Sequence, residues 1–285
     1  MRLVTYQSPT GPRVAGIRDG SLVDLNRADP SVPYCIKSLL AQGPAGFERA
    51  AKALAVGQSF APADVKLLPI VPNPEKIICV GKNYAEHARE TGSAPPSEPV
   101  FFSKFSSAVS ADGQPIVLPR VSDEVDYEAE LVVVIGVGGR YIPQQDAFAH
   151  VAGYCCGNDV SARDWQREKP GGQWLLGKSF DTFAPIGPSL VTADEIPNPD
   201  NLAIELRLSG RVMQQSNTSQ FLFPVAELIA YVSQVCSLVP GDLLFTGTPP
   251  GVGFARTPPV FLHPGDIVEV EIERVGVLRN PVAGE

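Results

Sequence analysis

Proline and glycine punctuate this chain so often that they limit what it can build. It carries 28 prolines and 26 glycines in 285 residues, with proline at about twice its ordinary frequency of ~5%. They are scattered between short apolar runs and form no single tract. A proline inside a helix removes a backbone donor and costs about 3 kcal/mol. A mainly helical bundle is therefore excluded, and many short strands joined by turns are expected. Lys76–Val80, Pro99–Phe105 and Glu130–Val137 (ELVVVIGV) are such runs, the last closed by Gly138-Gly139. Leu202–Leu208 and Arg211–Gln215 flank Ser209-Gly210 and predict a hairpin. Val225, Leu228, Ile229, Val232, Val235 and Cys236 recur with helical period, predicting one longer helix over Pro224–Ser237.

Residues 1–70 hold eight Lys or Arg against five Asp or Glu, and the remainder fifteen against twenty-six. The proline-rich segment Leu68–Lys76 separates these halves. It predicts a small N-terminal α/β domain over 1–70 and a larger domain over 71–285. In the first, Leu3–Tyr6, Arg13–Ile17 and Ser21–Asp24 read as strands and Gly46–Ala55 as a helix. Nothing there suggests chemistry.

The formal net charge of −8 argues against a nucleic-acid partner, which would require a basic surface. No run of about 18 apolar residues is present, so no membrane span is expected. The start, MRLVTYQSPT, lacks the apolar stretch of a secretory signal. The five cysteines are odd in number and contain no CxxC pair. They suggest a reduced chain, and a cytoplasmic location is expected.

Chemistry concentrates in a few segments. Glu128 and Glu130 are two apart, so on a strand they share a face. Like charges that close repel, and a bound cation is one remedy. The bland alternative is a solvated face, which fits Glu269, Glu271 and Glu273, where Val268, Val270 and Ile272 alternate with the acids. After Glu130, by contrast, both strand faces turn apolar. Asp159 follows the apolar Val151–Cys156 and could instead cap a helix, given Asn158 and Ser161 beside it. His87 and Glu90, three apart, would share a helix face. A carboxylate there fixes the imidazole tautomer and raises its basicity, as a general base needs, although a surface ion pair has the same spacing. Gly172–Ser179 (GQWLLGKS) fits a phosphate-loop pattern. It is rejected because REKPG precedes it in place of a buried strand, and prolines follow at 185 and 188.

Six segments in order, GKNYAEHARE (81–90), VFFSKFSSA (100–108), DYEAELVVVIG (126–136), GNDVSARDWQ (157–166), GKSFDTFAPIGP (177–188) and FTGTPPGVG (245–253), resemble the fumarylacetoacetate hydrolase family over about 70–285. The resemblance implies an α+β, β-rich fold whose catalytic domain is a mixed β-roll or sandwich. It implies Mg²⁺ or Mn²⁺ at Glu128, Glu130 and Asp159, and all-oxygen ligation by itself favours these hard cations over zinc. It also implies a water-activating dyad of His87 and Glu90, with Lys178 at the reacting carbonyl. Lys104, Arg163, Gln166 and Thr248 match positions that contact substrate. Lys82 stands where many relatives carry Arg. A homodimer acting on a small 2-oxo or 2,4-dioxo acid is expected from the resemblance alone.

The mechanism expected from these residues is hydrolysis of a carbon–carbon bond in an acylpyruvate. His87, oriented by Glu90, would draw a proton from water as it attacks, and the metal and Lys178 would stabilise the departing enolate. The runner-up is decarboxylation of oxaloacetate, or isomerase or hydratase chemistry, at the same site. A non-catalytic binding protein is the alternative from another class.

Overall fold

A computed structural model describes residues 1–285. The short-strand expectation holds. Twelve strands form one mixed sheet, five form a second, and Val125–Asp126 pairs with Ser161–Ala162 in a small ribbon. The hairpin turns at Ser209-Gly210 as predicted, joining Ala203–Leu208 to Arg211–Asn217. Both turn residues have positive φ (49° and 82°), which matches the twist of the flanking strands. The predicted helix spans Val225–Val235 and buries Val225, Leu228, Ile229 and Val232. Val235, at its end, is exposed. No helix is long and apolar enough to cross a membrane.

The central strand is Ala129–Ile135, and all seven of its residues are buried. Val151–Asn158 pairs antiparallel on one side and Leu243–Phe245 on the other. Leu131, Val133 and Ile135 face a core shared with Leu206, Val270 and Leu278 of the five-stranded sheet. Val132 and Val134 face a second core with Cys79, Leu243 and Phe245, and with Leu39 and Leu40 of the N-terminal region. A buried aliphatic side chain contributes roughly 1.5–3 kcal/mol, so burial on both faces pins this strand and its register.

Arg2–Ser8 pairs antiparallel with Ala184–Thr192, and Gly11–Arg18 and Ser21–Asp24 continue outward from it. Residues 1–70 thus share the large sheet with the rest of the chain. Register delivers the acids to one place. Glu130 lies opposite Gly157, and the Asp159 N–H donates to the Glu128 carbonyl at 2.9 Å. A Cβ on Gly157 would approach Val132 to 2.4 Å and Phe245 to 2.8 Å, so only glycine lets these strands close above the site.

Candidate metal centre and active site

Glu128, Glu130 and Asp159 place ligand oxygens within 4.8 Å of one another, and all three residues are buried. Even-numbered positions of the central strand share a face, so the face that carries Val132 and Val134 into the core carries the two glutamates into the site. Asp159 does not cap a helix. The next helix, Arg163–Arg167, starts without a side-chain cap.

Burying several carboxylates together is costly unless cations accompany them. Three do. Lys178 Nζ donates to Glu128 Oε2 at 2.9 Å, to Asp159 Oδ2 at 2.7 Å and to Ser161 Oγ at 2.8 Å. Lys104 Nζ donates to Asp159 Oδ1, and to the Val160 carbonyl at 3.0 Å. Arg163 donates to Glu128 Oε1 at 2.7 Å, Asp126 Oδ2 at 2.9 Å and Gln166 Oε1 at 3.0 Å. Burial alone would raise the Glu128 carboxyl, but Lys178 and Arg163 outweigh it and hold that group well below the usual carboxylate range. Glu130 goes the other way, pushed well up by burial and then by the charges of Asp159 and Glu128. Burial likewise lowers the Lys104 ammonium.

The donor set fits a hard divalent cation. All three ligand groups are carboxylates, and Glu130 accepts from the Gly247 N–H at 2.7 Å through Oε2, leaving Oε1 without a protein donor. An added dication would relieve the repulsion that pushes the Glu130 carboxyl up.

The predicted helix spans Ala85–Glu90, opened by Tyr84. His87 Nδ1 lies 2.8 Å from Glu90 Oε1, and Glu90 Oε2 accepts from the Gly251 N–H at 2.9 Å. With Nδ1 engaged, Nε2 is the nitrogen available for proton transfer. His87 lines a cavity of about 340 Å³ together with Glu128, Glu130, Arg163, Gln166, Lys178 and Thr248. The dyad and the acid cluster therefore meet, and His87 is close enough to act electrostatically on Glu128.

Lys104, expected from the resemblance at a position that contacts substrate, is buried beside Asp159. It is enclosed behind Asp159 and does not line the cavity. With a carboxylate and a carbonyl as its acceptors in the interior, Lys104 gives the buried Asp159 a hydrogen-bonded countercharge. The rejected phosphate-loop segment forms a short helix, Trp174–Gly177, that ends at Lys178. Gly177 is required there, because a Cβ would lie 2.6 Å from the Gln166 nitrogen.

Three contributors escaped the sequence reading. Asp126 is buried and binds Arg163. Asn83 ties the start of the His87 helix to Phe223 and to the Thr246 carbonyl. The stretch from Thr246 to Phe254 supplies backbone N–H groups to three acids: Gly247 to Glu130, Gly251 to Glu90, and Gly253 with Phe254 to Asp126. The segment FTGTPPGVG carried this signal, but its glycines do not reveal which acids they serve.

Residues 76–283, which carry the buried acid cluster and the His–Glu pair, match the C-terminal domain of fumarylacetoacetate (FAA) hydrolases. The chain belongs to that family and is an enzyme of its kind. A mitochondrial oxaloacetate tautomerase of Bos taurus is 50% identical over 288 residues, covering 99% of this chain and 91% of the relative. A solved fumarylacetoacetate hydrolase from Exiguobacterium antarcticum is 33% identical, with a TM-score of 0.86 and full coverage of both chains (100% each). Maleylpyruvate hydrolase from Sphingobium, solved with manganese(II) and pyruvate, is 30% identical with a TM-score of 0.84, covering 100% of this chain and 99% of that one.

The cytoplasmic expectation is overturned by the mitochondrial relative. Free cysteines do not distinguish one compartment from another.

Proposed function

We propose that this enzyme interconverts the enol and keto forms of oxaloacetate or a similar 2-oxo dicarboxylic acid, using Mg²⁺ or Mn²⁺ held by Glu128, Glu130 and Asp159. The carrying observation is that His87, with Nδ1 committed to Glu90, shares one cavity with Glu128 and Glu130. The cation would supply electrostatic stabilisation to the substrate oxygen on which negative charge develops. In ketonisation the C2 hydroxyl loses a proton and C3 gains one. His87 Nε2 carries the proton at C3, and Glu90 keeps the ring in the tautomer that can do so. Lys178 adds positive charge beside the C2 oxygen. Arg163, Gln166 and Thr248 hold the substrate from the remaining walls. The reading is supported by 50% identity to an oxaloacetate tautomerase.

Acylpyruvate hydrolysis, the expectation from sequence, is the second reading. A histidine oriented by a glutamate can activate water as well as carry a proton, and a maleylpyruvate hydrolase is 30% identical. It ranks second because it needs an ordered water in addition to everything tautomerisation needs.

The test is to follow the enol absorbance of oxaloacetate with Mg²⁺, with Mn²⁺ and after chelation, while identifying products from oxaloacetate, acetylpyruvate and fumarylpyruvate. Faster metal-dependent loss of the enol band with the carbon skeleton intact is expected. Pyruvate from the acylpyruvates without accelerated tautomerisation would make the enzyme a hydrolase. Carbon dioxide from oxaloacetate would make it a decarboxylase. The homodimer belongs to the same proposal, and a solution mass equal to the 30.4 kDa of one chain would remove it.

A further inference from the structure

We infer that Lys82 and Arg167 form a subsite for the distal carboxylate of a dicarboxylic substrate, an assignment that rests on the 2-oxo acid reading above. Charge is unevenly matched around the cavity. At its inner end the acids have their countercharges in Lys178 and Arg163. Arg163 bonds Asp126, Glu128 and Gln166 and so already has acidic partners. Arg167 lies four residues further along the same short helix and therefore on the same face. Its guanidinium sits 4.7 Å from the centroid of the Phe254 ring, and that of Arg163 sits 4.4 Å from the same centroid. One ring thus holds two guanidiniums, of which only Arg163 has acidic partners. Arg167 makes no ion pair, and its charge reaches Glu124 without bonding to it.

Lys82 enters from another element, the loop after Ile77–Gly81. It also makes no ion pair, and its Nζ donates to Ser93 Oγ at 2.8 Å. Its φ of 58° is left-handed. Glycine adopts that region freely, whereas a residue with a Cβ is strained there. The strained backbone at Lys82 turns the chain where its side chain lines the cavity.

Both residues line the cavity that also receives Glu128, Glu130 and His87. The cavity thus has a buried acidic end suited to a cation, and half-buried Lys82 and exposed Arg167, neither in an ion pair, elsewhere on its wall. A 2-oxo monocarboxylate would satisfy only the first. A second carboxylate on the substrate would meet positive charge from these two side chains, and the planar fork of arginine suits it.

The test uses the full chain loaded with Mg²⁺. Trp174 lines the same cavity, so tryptophan fluorescence can report pyruvate and oxaloacetate binding without relying on turnover. Arg167→Gln and Lys82→Met should each weaken oxaloacetate about tenfold, and the double variant about 100-fold, with pyruvate moving less than about twofold. For oxaloacetate, KM should rise more than kcat falls. Lys82→Gly should weaken oxaloacetate without lowering the melting temperature, separating recognition from folding. Equal losses for the two probes, or no loss for either, would overturn the subsite. If the wild type fails to tautomerise oxaloacetate but the binding ratio responds as described, the reaction falls and the subsite stands. If tautomerisation is present and the ratio is unmoved, the subsite alone falls.

Discussion

Two strands of this enzyme begin from the same alternation of glutamates and end in opposite environments. Along Ile267–Ile272, Val268, Val270 and Ile272 are buried, while Glu269 and Glu271 point outward beside Arg207, at 3.4 and 2.8 Å from its nitrogens. Before and within Ala129–Ile135, Glu128 and Glu130 are enclosed among Lys178, Arg163, Asp159 and a loop N–H. Spacing alone does not separate the two cases. The residues that follow do: beyond Glu130 both parities are apolar, the strand is covered on both faces, and its acids have no route to water except through the cavity. Exposed ion pairs are worth 0–1 kcal/mol at most in the median case, whereas enclosed carboxylates demand partners and so organise a site.

Several measurements would break or sharpen that contrast. The largest effect is expected for Glu130→Gln, which keeps the shape and removes the charge. Metal-dependent turnover should fall by about 10³-fold or more, with a matching loss of Mg²⁺ affinity by calorimetry. Turnover within tenfold of wild type would put the two strands in one class. Next, His87→Ala should cost about 10²-fold or more in turnover while Mg²⁺ binding by calorimetry stays unchanged. A simultaneous loss of metal binding would show that the histidine props up the acid cluster and does not serve as a separate proton carrier.

Third, saturating Mg²⁺, at about 100 times its dissociation constant, should stabilise the fold by about 2.7 kcal/mol, and this increment should grow as pH rises. The sign follows from Glu130, whose carboxyl is held above its unfolded-state value. In the metal-free fold it binds its proton more tightly than in the unfolded chain. Its contribution is therefore full below the unfolded pKa and lost as pH rises through the folded one. The metal needs the ionised form, so low pH sets proton against cation. Thermal unfolding with and without Mg²⁺ between about pH 5 and pH 8 reads this, and an increment that shrinks with pH would contradict it. The smallest effect belongs to Glu271→Gln, about 0.5 kcal/mol or less on stability, with turnover unaltered. A larger loss in either measurement would mean that the outward glutamates also serve the site.

Much of this was legible beforehand. Proline and glycine set strand length, and periodicity located the helix over Val225–Val235 and the hairpin at Ser209-Gly210. The acid triad and the His87–Glu90 pair could be read because each has local spacing, or a strand after it, that explains its burial. What stayed hidden depends on long-range pairing. That Lys104 bonds Asp159, 55 residues away, could not be read from local spacing. Joining Arg2–Ser8 to Ala184–Thr192 involves residues nearly two hundred positions apart, and no local pattern encodes that. Asp126 stood in a quoted segment without a role, because its partner Arg163 comes 37 residues later.

The stretch from Gly247 to Phe254 grips the proposed proton relay and a proposed cation ligand with the same few peptide groups. It works as a common jig: Glu130, Glu90 and Asp126 are indexed to one another through a single piece of main chain. Inserting one amino acid between Gly247 and Gly253 should throw all three out of alignment together. Neighbouring loops can drift in length as substrates change, but this one has little room to do so.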